Sequence, residues 1–110
     1  MMSKVYVAQE NPKHSYQAAA CYGEVVIVTT KEYAINKDTN KGIHEDIAKV
    51  VKEFNPNRDY LLISGDSMVF AILFASIMLK HLSCKVLKYS NLHEKYKEIK
   101  LSVDELIIDA

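Results

Sequence analysis

The sequence predicts an α/β protein built on a small, largely parallel, Rossmann-like sheet. Three observations carry that reading. A run of β-branched residues, Glu24 to Thr30 (EVVIVTT), has the composition of a central strand. An apolar stripe at Ile43, Ile47, Val50, Val51 and Phe54 repeats at helical spacing. A second strand, Tyr60 to Ser64 (YLLIS), passes through Gly65-Asp66-Ser67 into a long apolar segment reaching about Leu82. With Cys84 to Tyr89 (CKVLKY) as the next strand, residues 24 to 89 make two consecutive βαβ units, whose parallel strands require helical crossovers.

Each element has its own local cause. Lys4 to Ala8 (KVYVA) alternates apolar and other residues, as an N-terminal half-buried strand does. The stretch from Asn11 to Gln17 holds Asn-Pro, His and Ser and reads as a long loop, with a short helical turn at Ala18 to Ala20. Lys37 to Gly42 is a polar connection. The helix that follows is expected to carry Glu45 and Asp46 in its first turn, where the dipole favours negative charge. It should stop at Asn55-Pro56, because a residue before proline avoids the helical region. The second helix is apolar on every side, with Ala71 and Ala75 four apart for close packing on a sheet. Its outer side needs a cover, which predicts either a third layer or a homodimer formed across it. Ser90 to Glu94 is a turn, Lys95 to Leu101 the second strand of a C-terminal β-hairpin, and Val103 to Ala110 a short strand or a frayed tail.

Composition limits the function classes. With 110 residues, one domain is expected. Hydrophobic residues at 49% and charged residues at 25% exclude a disordered or low-complexity chain. Fourteen basic residues balance fourteen acidic ones, so no global field draws the protein to nucleic acid or anionic lipid. Cys21 and Cys84 form no CxxC pair, and the N-terminus lacks a secretory core, so a cytoplasmic, reduced setting is expected. Met68 to Leu79 is too short for the roughly 20 apolar residues of a membrane span.

Candidate sites are few. Ser64, Gly65, Asp66 and Ser67 lie where a parallel strand meets a helix N-terminus, the usual ligand position in open α/β sheets. Gly65 would admit close approach of a ligand, and Ser64 or Ser67 would donate to it. The simpler reading is that Gly65 makes the turn and Asp66 or Ser67 caps the helix, since no GxGxxG or Walker pattern is present. Asp66 would repel a phosphate, so a sugar hydroxyl or a cation suits the turn better. The histidines, His14, His44, His81 and His93, have no metal-ligand spacing, and no GxSxG elbow supports nucleophilic catalysis. No cofactor, metal or catalytic residue is expected. The six lysines between Lys80 and Lys100 face Glu94 and Glu98, leaving a local +4. Lys85, Lys88, Lys95 and Lys97 would be the contacts if this hairpin tracked nucleic acid. A solvated edge strand guarded by lysine is the stronger reading. Seven tyrosines and no tryptophan direct attention to His14, Tyr16, Gln17 and Tyr22 around the long first loop as a partner-binding surface, although ordinary loop packing is the slightly stronger reading.

The segments KVYVAQE, YGEVVIVTT, DYLLISGDSMVFAILFA and KVLKYSNLHEKYKEIKL together resemble a group of short accessory proteins of tailed bacteriophages. Tyr22-Gly23-Glu24 and Gly65-Asp66 match motifs of that group, while Tyr89-Ser90 stands where an aromatic-Asp pair is common. The resemblance implies an accessory protein in the host cytoplasm and transfers no activity. The expectation is therefore a protein that acts by binding a host or phage protein. A small-molecule or nucleotide site at Gly65-Asp66-Ser67 is the alternative, and nucleic-acid binding by the lysine hairpin the third.

Overall fold

A computed structural model describes residues 3–13, 15–35 and 40–106. Over these residues the chain is mixed α/β, with a five-stranded, mostly parallel sheet and three helices. In chain order these are β1 (Lys4–Gln9), β2 (Glu24–Thr29), α1 (Lys41–Glu53), β3 (Tyr60–Leu62), α2 (Ser67–His81), β4 (Ser83–Ser90), β5 (Lys95–Ser102) and α3 (Val103–Leu106). A 3-10 turn at Gln17–Ala19 lies between β1 and β2. The sheet order is β2-β1-β3-β4-β5, with only β5 antiparallel to its neighbour.

This order dictates which face each connection covers. The chain steps one way from β1 to β2, then the other way from β2 across β1 to β3 and on to β4. Crossovers between parallel strands are nearly always right-handed, so a reversal of direction places the connection on the other face. Accordingly α1 and α2 share one face, where Ile43, Ile47, Val50, Phe54, Val69, Leu73 and Ile77 bury Tyr6, Ala8, Leu61 and Val86. The first loop covers the other, with Ala19, Tyr16 and Tyr22 packed on Val5, Val7, Leu62, Leu87 and Tyr96. The loop thus supplies a third layer. The outer side of α2 nevertheless leaves Met68, Ala71, Ala75 and Leu79 exposed.

Several boundaries differ from expectation for local reasons. β3 ends at Leu62, because Ser64 and Gly65 leave the sheet for the turn before α2. The helix α1 begins at Lys41, so Glu45 and Asp46 lie beyond its first turn. It ends as expected, with Phe54 extended and its amide still donating to the Val50 carbonyl at 2.8 Å. The tail after β5 forms one helical turn, anchored by the Val103 amide donating to the Leu82 carbonyl at 2.9 Å. His14 and the connection through residues 36–39 lie outside the described residues.

A polar anchor that the hydrophobic pattern does not show sits beneath the N-terminal end of the sheet. Asp59 is fully buried and accepts from the Lys4 amide at 3.0 Å, the Asn55 amide at 2.8 Å and Arg58 Nε at 3.2 Å. It ties the start of β1 to the loop that leads into β3.

Candidate functional site

The strand order reverses between β1 and β3, and at such a switch point the loops beyond the carboxyl ends of the strands diverge and leave a crevice. A cleft of about 850 Å³ opens there, lined by Gln9, Glu10, Asn11, Pro12, Thr30, Glu32, Gly65, Asp66 and Ser67. Three of the four turn residues expected from the sequence therefore border a cavity. The fourth, Ser64, sits behind them and joins the turn to the first loop: its Oγ shares a 2.6 Å hydrogen bond with the Tyr16 hydroxyl, which also accepts from the Asn11 amide at 2.8 Å.

The turn is built by packing and capping. Gly65 has φ of +75°, and a Cβ there would fall inside contact distance of the Gln9 side chain and carbonyl. Glycine is required by the neighbouring strand, whether or not a ligand approaches. The Asp66 amide donates to Gln9 Oε1. The Asp66 carboxylate caps α2, one oxygen accepting from the Met68 amide at 2.8 Å and the other from the Tyr33 amide at 2.6 Å. Those bonds satisfy a helix-terminal donor and fasten the segment after β2 to the start of α2. Ser67 is exposed.

Among the described residues, the charged ones lining the cleft are Glu10, Glu32 and Asp66, all carboxylates. A phosphate would meet repulsion from three sides, whereas an ammonium, a guanidinium or a sugar hydroxyl would find acceptors. Gln9, buried at the end of β1, and Glu10 and Glu32 escape a motif search because each is a lone polar residue beside a strand end. The signal that finds them is position: both strand ends abut the turn.

The partner-surface residues separate. Tyr16 is half-buried in the wall just described, and Gln17 is exposed beside a shallow groove shared with Ser15, Ala18 and Tyr89. Tyr22 is structural: its hydroxyl donates to the Tyr96 carbonyl at 3.0 Å and its ring meets Tyr60 edge-on at 5.3 Å. The lysines of the hairpin also divide. Lys88 lies opposite Lys97, and alternation along the strands places Lys95 with them on the helix side. Lys85 is on the other side, its Nζ 4.3 Å from the Tyr60 ring centre and 3.3 Å from the Asn57 carbonyl. Among the described residues no group of three or more His, Cys, Asp or Glu could hold a metal ion, and no helix is long and apolar enough to cross a membrane.

Fold and cleft together define a small mixed α/β protein with an open acidic crevice at the switch point of its sheet. The sequence profile of the phage Pam3 gp32-like protein family matches residues 3–103, and the chain belongs to that family of phage proteins. No curated protein and no solved structure matches it.

Proposed function

We propose that this phage protein acts by binding in the host cytoplasm, and that the switch-point cleft receives a basic side chain of a host or phage protein. The observation that supports this reading is the lining: among the described residues, Glu10, Glu32 and Asp66 are its only charged ones. The hydroxyl pair of Tyr16 and Ser64 makes the first loop and the Gly65 turn one continuous wall, so a partner on the loop also reaches the cleft. The test is a pull-down from infected host lysate with the wild-type protein and a Glu10→Lys/Glu32→Lys variant in parallel. A stoichiometric partner retained by the first and lost by the second is expected; equal recovery by both, or none by either, refutes the reading.

A second reading takes the cleft as a small-molecule site, because its volume falls within the roughly 300–1,000 Å³ range of ligand pockets. The carboxylates then favour a polyhydroxyl or cationic compound over a nucleotide. Thermal shifts with spermidine, glucosamine and ATP distinguish these, since a ligand of the native state raises the midpoint with concentration. The homodimer across α2 is part of the same proposal of action by binding, and sedimentation at tens of micromolar tests it.

A further inference from the structure

We infer that the free edge of β2 is a second docking surface, which takes an extended segment of a partner protein as an added strand. Among the described residues β2 ends the sheet and pairs with β1 alone. The Glu24 amide donates to the Ser3 carbonyl at 3.0 Å, so alternation along the strand turns the amides and carbonyls of Val25 and Ile27 away from β1. Another extended backbone is what complements such a row of donors and acceptors. From Val25 to Thr29 the strand has no charged residue, and every residue is β-branched.

Two cavities flank this edge, one on each face of the sheet. On the loop side Ala20, Cys21, Tyr22, Gly23, Glu24 and Val25 border an open cleft of about 700 Å³. On the helix side a smaller cleft of about 310 Å³ lies between Val26, Val28 and α1, bordered by Lys4, Asp46, Lys49 and Glu53. An added strand projects alternate side chains to opposite faces, so it would fill both. Tyr6 also lines the helix-side cleft. It is only 2% exposed, and its buried hydroxyl has no hydrogen-bond partner among the described residues. An unsatisfied buried hydroxyl destabilises the fold, and a polar group entering the cleft removes that penalty. Burial, with the carboxylates of Asp59, Glu53 and Glu24 outweighing the opposing charge of Arg58, raises the Tyr6 pKa, so acceptor charge prevails around this hydroxyl. The segment that fits therefore presents an apolar side chain to the loop side and a lysine or arginine to the helix side, where Tyr6 Oη accepts from it. A second copy fits less well, because a two-fold pairing of β2 would bring α1 towards its own image, with Asp46, Lys49 and Glu53 facing the same set of charges.

The experiment selects binders from random ten-residue peptides displayed on yeast, then follows amide exchange of the full-length wild-type protein with the selected peptide. The expected peptides alternate apolar residues with lysine or arginine, and they slow exchange of Val25 and Ile27 at least tenfold while leaving β5 unchanged. Tyr6→Phe, which keeps the ring, is expected to weaken binding at least fivefold without lowering Tm. Failure to enrich any peptide, or protection that falls outside β2, overturns the proposal. Unchanged affinity in Tyr6→Phe overturns the assignment of the basic side chain. Protection of Val25 and Ile27 that grows with protein concentration alone assigns the edge to a second copy instead. The Glu10→Lys/Glu32→Lys variant is expected to bind the peptide as the wild type does, so failure of the cleft reading leaves this result intact; a peptide lost by that variant reports the cleft and overturns the edge.

Discussion

The two edges of the sheet solve the same problem in opposite ways. At one end β5 is eight residues long and exposes Lys95, Lys97, Glu98 and Lys100 along its length. At the other, β2 is six residues long, uncharged after Glu24, and flanked by cavities on both faces. Charge on an edge strand makes pairing with another chain costly, since each side chain would have to be desolvated or opposed. The difference teaches that this protein can block edge pairing, and does so at β5 alone.

The largest expected effect comes from erasing that contrast. A Lys95→Val/Lys97→Val/Lys100→Val variant gives β5 the largely uncharged, β-branched character of β2, so an approaching strand no longer meets lysine there. Light scattering at tens of micromolar is expected to show the variant associating under conditions where wild type does not. A variant that stays dispersed would mean that lysine is not what protects β5.

The edges also differ in their attachment. β5 belongs to an antiparallel hairpin with β4, whereas β2 is held through the parallel β1, whose first residue hangs on Asp59. Asp59→Ala leaves the Lys4 and Asn55 amides without their acceptor in a buried site. The expected cost is about 3 kcal/mol by urea unfolding, from two orphaned donors at roughly 1–3 kcal/mol each. Amide exchange should then show β1 and β2 opening before β4 and β5. Equal loosening of both ends would show that the anchor serves the whole sheet.

Alkaline pH is expected to act first from the β4–β5 end. Burial pushes the Cys84 thiol up to about 12 from its ordinary 9.0. A thiol whose folded pKa is raised contributes stability in full below pH 9, and loses it as pH climbs from 9 towards 12. Between pH 7.5 and 10.5 the wild type should therefore lose about 2 kcal/mol more than Cys84→Ala. Tyr6, on β1 beside β2, is also raised by burial but starts from 10.0, so its share of the loss begins a unit higher.

Much of this was legible in the pattern of residues, and what was hidden has physical reasons. The strands at Lys4, Glu24 and Cys84, and both long helices, announce themselves because one face or every face is apolar. The fold class follows from their order. The position of β1 between β2 and β3 does not: β2, whose β-branched run reads as a central strand, lies at the edge, and β1, which reads as half-buried, lies inside, because alternation records which side of a strand is buried and never which neighbour it has. Asp66 and Gly65 could be placed at a helix start from spacing alone, yet Gln9, whose packing makes glycine obligatory there, is 56 residues earlier in the chain. Tyr6 reads as a core residue from its strand, and its unsatisfied hydroxyl becomes visible only when its neighbours are known. Asp59 is a single acid next to Arg58, indistinguishable in the chain from a surface pair.

The smallest effect tests what the lysines of β5 do at close range. Lys88 and Lys97 stand directly opposite one another on the helix side of the hairpin, and like charges in that position oppose the pairing they sit on. Lys97→Glu turns the repulsion into attraction, so a gain of about 0.5 kcal/mol is expected, near the middle of the range for cross-strand pairs. Added salt screens exposed charges. Raising it from 0.05 to 0.5 M should then stabilise the wild type slightly and the variant not at all. If Lys97→Glu is instead destabilising at every salt concentration, the ammonium at this position has a favourable partner in the folded protein, and β5 is not charged for protection alone.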